Sequence, residues 1–180
     1  MIRRLVFTLI IFIVFQAGST FASSEMQTDR ALEIQAAFLI KFCSYVTWPK
    51  EHFSTPESPV IVGILGRDPF GSKIDKIARS SRANGRNIEI RRFTDSSSIG
   101  QVHILFIAPS EADQLRKIAS EISLRSVLLV SNIPGFLDSF GMVNFVIISK
   151  KIRFDISRTN SENAGLMISS KLLSVARKVE

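Results

Sequence analysis

The sequence predicts an α/β fold of three layers, α/β/α, with a mostly parallel sheet and a mixed edge hairpin. Short and almost wholly apolar runs, such as Val60–Leu65 and Val102–Ile107, are typical of strands that are covered on both faces. Stretches of helical periodicity alternate with these runs, as they do in parallel sheets with helices on both faces. Met142–Ile148 and Arg153–Ile156 flank a short polar turn, so they predict a hairpin at one edge.

The first 22 residues have the three-part layout of a secretory signal peptide. Arg3 and Arg4 precede the apolar run Leu5–Phe15, and small and polar residues lead to Ala22. The apolar run is shorter than the roughly 20 residues that a spanning helix needs, although an uncleaved membrane anchor is the alternative. We expect cleavage after Ala22. Residues 23–180 then form a single domain outside the cytoplasm, in a bacterial periplasm.

The first half of this domain predicts two helices and two strands. From Ala31, apolar residues recur at steps of three and four, which predicts a helix that Pro49 ends. The first buried strand follows. Asp68 and Pro69 are suited to the cap and first turn of the next helix. Asn87–Phe93 alternates between apolar and polar residues, which predicts a strand nearer an edge of the sheet.

The second half contributes the rest of the sheet. After the second buried strand, Ser110 can cap a helix that runs through Ile122, and Val127–Val130 is a third buried strand. Asn132–Phe136 is a turn-rich loop before the hairpin. Residues 159–162 have a capping-box pattern, which predicts one last helix up to residue 178. The predicted order is α-β-α-β-β-α-β-β-β-α.

Composition and charge exclude several classes of function. The formal net charge of +7 falls by two when Arg3 and Arg4 are removed, and a secreted protein does not meet nucleic acid. The basic surplus suits anionic lipid headgroups or an acidic protein, although a mixed solvated surface explains it as well. ATP and nicotinamide cofactors are scarce in the periplasm, which disfavours kinases and dehydrogenases. Cys43 is alone, so it makes no internal disulfide, and its apolar helical surroundings favour buried packing over a reactive thiol.

No catalytic or metal-binding motif is visible. His52 and His103 are the two histidines, and neither lies in a motif with a nucleophile. Cys43 and His52 do not supply the several closely spaced ligands that a metal needs. Pro69 removes an amide from the turn that could otherwise bind an anion. The sequence therefore predicts a protein that is not an enzyme and has no cofactor, with His103 as a hydrogen-bonded core histidine.

The carboxyl ends of the three buried strands are the place where an open α/β sheet would bind a ligand. These ends are Gly66–Asp68, Ala108–Ser110 and Ser131–Phe136. They offer a guanidinium, a carboxylate, an amide and an aromatic face, which could hold a small polar molecule. They could equally be well-formed turns without a ligand.

Short motifs run along the chain in a fixed order. They are Phe42-Cys43-Ser44-Tyr45-Val46-Thr47-Trp48-Pro49 with Phe53 after it, Gly66-Arg67-Asp68-Pro69-Phe70-Gly71, Gly85-Arg86, His103-Ile104-Leu105-Phe106-Ile107, Pro134-Gly135-Phe136, Gly141-Met142, Arg153-Phe154, Ala164-Gly165-Leu166 and Ser170-Lys171-Leu172-Leu173. Each motif is weak alone, but their order and spacing together are specific. On these motifs the chain resembles the YfiR family of periplasmic proteins, from about Ala31 to Val179.

The resemblance implies a secreted α/β/α domain without enzymatic activity. The best-understood relatives inhibit an inner-membrane diguanylate cyclase by contacting its periplasmic sensor part. An outer-membrane lipoprotein can pull such an inhibitor away, which raises cyclic di-GMP and favours biofilm growth. The implied partners are therefore such a cyclase or a sensor kinase, an outer-membrane lipoprotein and a second copy of the chain in a homodimer. The alternative function is a periplasmic small-molecule receptor that feeds a sensor kinase or a transporter.

The residues predicted to bind a ligand or partner are Trp48, Arg67, Asp68, Phe70, Asn132 and Phe136. Trp48, with Pro49 and Phe53, forms either a partner-docking patch or a staple that packs the first helix onto the sheet. Arg67, Asp68 and Phe70, which follow the first buried strand, either line a ligand pocket or serve capping and packing.

Two positions depart from the pattern that the resemblance suggests. Val102 stands where relatives often have a cysteine, and the partner cysteines are absent as well. Redox control of stability is therefore not carried over to this chain. Phe140 stands where a glycine commonly precedes Gly141, so we expect a different local turn.

Overall fold

The computed structural model describes residues 27–122 and 125–180. The predicted signal peptide over residues 1–22 lies outside the described residues. Among the helices of the described ranges, none combines the length and the apolarity that a membrane span requires.

The described residues form helices that alternate with strands. The helices are α1 (residues 27–42), α2 (Ser72–Arg79), α3 (Leu115–Ile122), α4 (Arg158–Asn163) and α5 (Ser170–Val175). The strands are β1 (Val46–Thr47), β2 (Val60–Leu65), β3 (Ile88–Phe93), β4 (Ile104–Ile107), β5 (Leu128–Ser131), β6 (Val143–Ile148), β7 (Lys151–Ile156), β8 (Met167–Ile168) and β9 (Lys178–Val179). Short 3₁₀ turns occupy Lys50–His52, Ser96–Ser98, Pro109–Gln114 and Phe136–Ser139.

The main sheet has the strand order β3-β2-β4-β5-β6-β7-β9. The strands from β3 to β6 are parallel, β7 returns antiparallel to β6, and β9 runs parallel to β7. β1 and β8 form a separate antiparallel pair. This topology confirms the predicted three-layer α/β fold with a mostly parallel sheet and a mixed edge hairpin, and it places β3 at an edge as its alternating sequence indicated.

The core lies on both sides of the central strands. Every residue of β2, β4 and β5 is buried, as their continuous apolar sequences predicted. On one face, Phe38 and Phe42 of α1 pack edge-on against Phe154 at ring-centroid distances of 5.3 and 5.2 Å. Phe145 of β6 completes this aromatic cluster at 5.9 Å from Phe42. Each such aromatic pair contributes about 0.5–1.5 kcal/mol beyond the burial of its surface, so the cluster fixes α1 against the β6–β7 hairpin.

The first helix ends earlier than the sequence predicted. It stops at residue 42 instead of continuing to Pro49, and a turn leads into β1. The reason is pairing with a distant segment, because Val46 and Thr47 lie opposite Ile168 and Met167. The amide of Ser169 also donates to the carbonyl of Tyr45.

The predicted caps at Asp68 and Ser110 were wrong. α2 begins at Ser72, because the Asp68 carboxylate accepts from the amide of Phe70 at 2.7 Å and from Arg92 Nε at 2.8 Å. α3 begins at Leu115, after a 3₁₀ turn. Ser110 Oγ instead accepts from the amide of Arg67 at 2.9 Å. In both cases a tertiary contact takes the side chain that local sequence assigned to a helix end.

The single long helix predicted after residue 159 was also wrong. Ser157 caps α4 by accepting from the amide of Asn160, and Glu162 pairs with Arg158 at 3.0 Å instead of forming a capping box. Gly165 then adopts a φ of 73°, a left-handed conformation that ends the helix at little cost for glycine. Beyond it the chain forms β8, the short helix α5 and β9.

Candidate functional site

At the carboxyl ends of β2 and β4, where a ligand crevice was predicted, two of the protein's own side chains lie against the backbone of Gly66. A Cβ atom on Gly66 would lie 2.5 Å from Ser110 Oγ and 2.4 Å from Glu111 Oε1, so these side chains rest directly on the glycine backbone. Asp68 is held by the Phe70 amide and by Arg92. The strand order reverses at this point of the sheet, where open α/β folds bind ligands, and a binding role for this end of the strands stays a prediction.

Arg92 joins the first turn of α2 to the edge strand. Its guanidinium donates to Asp68 and, at 2.7 Å, to Asp75. Hydrogen bonding from Arg92 lowers the pKa of the Asp75 carboxyl from its usual range. Arg67, by contrast, is exposed, and among the described residues no ion pair to its guanidinium is found. Of the charged residues predicted for the site, Arg67 is therefore the one that faces solvent.

Phe70 and Phe136 lie in the core. Phe70 is 2% exposed and packs against Phe106 with ring centroids 4.8 Å apart. Phe136 is fully buried, and its ring lies so close to Gly141 that a Cβ there would be 2.3 Å away. Neither ring is presented to a ligand in this conformation, and a binding role for them stays a prediction.

Trp48 lies at the opposite end of the sheet, beside the amino end of β4. It is buried, and its indole Nε1 donates to the carbonyl of His103 at 3.0 Å. Phe53 stacks on the His103 ring at 4.5 Å, and the guanidinium of Arg86 lies 4.0 Å above the Phe53 ring. These contacts match the alternative of a staple that fixes the segment after α1 to the sheet. The structure thus separates Trp48 from Arg67 and the other predicted site residues.

His103 is hydrogen-bonded in the core, which confirms the prediction for it. It is 1% exposed, and its Nδ1 accepts from the amide of Ile61 at 3.0 Å. Burial lowers its pKa to about 4, and the nearby charges of His52, Arg86 and Arg91 act in the same direction. The imidazole is therefore neutral near pH 7, and its Nδ1 serves as a hydrogen-bond acceptor for the amide of Ile61.

Cys43 has the surroundings of a packing residue. It is 1% exposed, and burial raises the pKa of its thiol to about 12. The reactive form of cysteine is the thiolate, so a thiol with this pKa is a poor nucleophile near neutral pH. Across residues 27–122 and 125–180, no cluster of three or more His, Cys, Asp or Glu side chains is arranged to hold a metal ion.

Asn132 lines a groove at the carboxyl end of β5 that the sequence indicated only in part. The groove has a volume of about 300 Å³. Its lining residues are Gln35, Asn132, Pro134, Asn144, Phe145, Val146 and Ile147. Gln35 was not predicted as a site residue, although it interrupts the apolar stripe of α1 between Leu32 and Leu39. A polar residue inside such a stripe is the sequence feature that could have identified it.

The β6–β7 hairpin projects beyond the end of its neighbour β5. Register places Val143 and Asn144 opposite Val130 and Ser131, so the next four residues of β6 extend past β5. At a rise of about 3.4 Å per residue, this extension is about 14 Å long. Ile147 and Ile148 near its tip are 64% and 45% exposed. Two lysines, at positions 150 and 151, adjoin them, so the tip is apolar and basic.

Comparisons with known proteins place the chain in a family. A family model described as YfiR/HmsC-like matches residues 32–177. A crystal structure of a conserved domain protein from Vibrio cholerae O1 biovar El Tor str. N16961 is similar at 8% identity and a TM-score of 0.49. That similarity covers 67% of this chain and 54% of the other, so this chain spans about half of that protein's length. No curated protein matches the chain significantly. Because the family model covers most of the sequence and agrees with the ordered motifs, the chain belongs to the YfiR/HmsC-like family.

Proposed function

We propose that this protein is a periplasmic regulator that represses an inner-membrane diguanylate cyclase by binding its periplasmic sensor part. Binding would favour the inactive state of the cyclase and so lower cyclic di-GMP. An outer-membrane lipoprotein that competes for the regulator would release the enzyme. Membership of the YfiR/HmsC-like family supports a regulatory role and a membrane partner.

The observation that carries the proposal is the exposed apolar tip of the β6–β7 hairpin. Full burial of an exposed isoleucine side chain contributes about 1.5–3 kcal/mol, and Ile147 and Ile148 still expose 64% and 45% of their surface. Lys150 and Lys151 flank them, which suits a partner whose apolar cleft has an acidic rim. The nucleophile candidates support binding over catalysis, because Cys43 is a buried thiol and His103 is committed to the sheet.

Removal of the gene tests the signalling role. We expect cyclic di-GMP to rise, and to return to its starting level when the full chain is supplied but not when residues 2–22 are deleted. A cyclic di-GMP level that stays unchanged after removal would overturn repression of a cyclase. The same result would favour regulation of another sensor, such as a histidine kinase.

Substitution of the hairpin tip tests the binding surface. The double variant Ile147→Ser and Ile148→Ser should lose capture of the cyclase sensor part and fail to lower cyclic di-GMP, with an unchanged melting temperature. The matched control is Met167→Ser with Val175→Ser, since these side chains are 67% and 60% exposed elsewhere on the surface. Equal loss in both variants, or in neither, would contradict a role specific to the tip.

A homodimer is part of the proposal, as the family resemblance implies. Sedimentation equilibrium of the secreted protein measures this directly, and a mass of one chain at micromolar concentration would remove the dimer from the proposal. Arg67 and Asn132 remain proposed contacts for a partner or ligand, since Arg67 is exposed and Asn132 lines the groove.

A small-molecule receptor is the second candidate function, and the groove beside Asn132 is the observation that favours it. A receptor would change its affinity for the sensor when a ligand is bound, whereas a pure repressor would not. A rise in melting temperature with a ligand would support this function.

A further inference from the structure

The groove beside the hairpin holds two polar atoms that lack partners. Gln35 is 3% exposed, and its Oε1 finds no hydrogen-bond partner in the described part of the chain. The same is true of Asn132 Oδ1, which is also buried. Leaving such an acceptor unpaired in the interior is costly, and native structures contain few of them. Two on the lining of one groove therefore indicate a hydrogen-bond donor that is supplied from outside the chain.

The third side-chain amide of the lining, that of Asn144, is paired within the protein. In the orientation that suits its neighbours, Asn144 Nδ2 donates to the carbonyls of Ser131 and Ile133 at 3.1 and 3.3 Å. Of the three side-chain amides in the lining, Asn144 is therefore paired, whereas Gln35 and Asn132 each keep an unpaired oxygen.

The rest of the lining defines the body of the ligand. Pro134, Phe145, Val146 and Ile147 provide apolar surface, and the lining contains no charged side chain. A volume of about 300 Å³ suits a small molecule, at the lower end of the range for ligand pockets. Carbonyl oxygens repel carboxylate and phosphate groups, and a groove without a cation offers them no compensation.

We propose that this groove binds a small apolar molecule that carries an N–H or O–H donor, with the side-chain oxygens of Gln35 and Asn132 as its acceptors. Protonated amines and neutral alcohols belong to this class, and anions of the same size are excluded. The inference stands apart from the proposed repression of a cyclase, because it concerns binding to the isolated protein.

Three probes with one phenyl body test the proposal on protein purified from the periplasm. They are 2-phenylethylamine, 2-phenylethanol and phenylacetate, and binding is measured by calorimetry and by shifts of the Ile147 methyl resonances. We expect the amine and the alcohol to bind at least about tenfold more tightly than the anion, the difference that one buried hydrogen bond supplies. Shifts should be confined to groove residues, with Ile74 of α2 unaffected.

The variant Gln35→Met removes the acceptor and keeps the length and helix propensity of the side chain. It should weaken binding of the amine and the alcohol about tenfold and leave the affinity for phenylacetate unchanged. If Gln35→Met does not fold, Asn132→Ala provides the same comparison. The matched control is Gln114→Met, because Gln114 is exposed and lies away from the groove. Absence of binding by all three probes, equal binding of the anion, or unchanged affinity in Gln35→Met and Asn132→Ala would each overturn the proposal.

Discussion

At the scale of single residues, the side chains that the sequence offers as candidates for binding or catalysis have structural roles. His103 accepts from the sheet, Trp48 donates to the His103 carbonyl, and Cys43 fills the core below α1. Sequence analysis could identify their burial from the apolar patterns around them. It could not separate a docking role for Trp48 from a packing role, because the hydrogen bond that decides its orientation joins residues far apart in sequence.

The buried imidazole of His103 predicts a loss of stability in mild acid. Its folded-state pKa of about 4 lies below the unfolded value of about 6.5, so the unfolded chain binds more protons between these values. The contribution is complete above about pH 6.5 and is lost as the pH falls toward 4, by up to about 3 kcal/mol. Urea unfolding at pH 7.0 and 4.5 measures the difference.

The control for this pH dependence is His103→Gln. It keeps an acceptor near the amide of Ile61 but cannot titrate, so its free energy of unfolding should change much less across the same range. The carboxyl of Asp75 has a lowered pKa, so its contribution is lost only at more acid pH and does not confuse the comparison. A full acid loss that persists in the variant would assign the effect to other groups.

The thiol of Cys43 should react only when the protein opens. With 1% exposure and a pKa of about 12, it offers neither access nor thiolate at neutral pH. Ellman's reagent should label it slowly in the native protein and at once in urea. The matched control is Ser44→Cys in a Cys43→Ala background, since position 44 is partly exposed and should react rapidly without denaturant. Rapid native labelling of Cys43 would contradict the buried assignment.

At the scale of elements, the β6–β7 hairpin turns through two residues that are ill suited to their conformation. Ser149 and Lys150 have φ values of 48° and 62°, which belong to a type I′ turn. Asn-Gly is the preferred pair for this turn because both residues tolerate positive φ. The tip therefore carries local strain beside the exposed isoleucines that we propose for binding, as strained segments at functional surfaces often do.

Replacing Ser149-Lys150 with Asn-Gly should stabilise the protein. Removing two positive-φ penalties is expected to add about 1 kcal/mol to the free energy of unfolding. The matched control is Ala-Ala at the same positions, which also removes the lysine charge but fits positive φ poorly. Thermal unfolding compares the two, and a control as stable as the Asn-Gly variant would show that the turn conformation is not the cause.

Elements were predictable where the pattern was local and failed where a distant partner intervened. The strands β2, β4 and β5 follow from continuous apolar runs, because only strands covered on both faces need them. The ending of α1 depends on pairing with β8, and the last helix is divided at Gly165, whose positive φ the helical periodicity did not reveal. The candidate groove could be predicted only in part for the same reason. The loop after β5 indicated Asn132, but no local pattern in the sequence places Gln35 beside it.

At the scale of the whole molecule, the stability of the sheet should fall from its centre toward the hairpin tip. β4 and β5 are covered throughout, whereas the outer residues of β6 are exposed and paired only with β7 among the described strands. Opening free energies are highest where burial is complete and lowest at exposed ends.

Native-state hydrogen exchange measures this gradient. Amides of Leu105 and Leu129 should exchange through global unfolding, with a dependence on urea equal to that of the whole protein. Amides near Ile148 should exchange through local opening, with little dependence on urea. The amide of Ile90 is the comparison, because it lies in the edge strand β3, which is paired with β2 along its whole length. Equal protection along β6 and β4 would contradict a separately opening tip.

Two residues of β6 pair with β5, and the rest of that strand projects beyond it. Asn144 is the last residue of β6 that pairs with β5, and its amide donates to the carbonyls of Ser131 and Ile133. Ile148 lies at the end of the projecting part of β6, while Gln35 of α1 lines the groove beside it. Because Ile147 belongs both to the exposed tip and to the groove lining, a partner bound at the tip and a molecule in the groove would contact the same side chain.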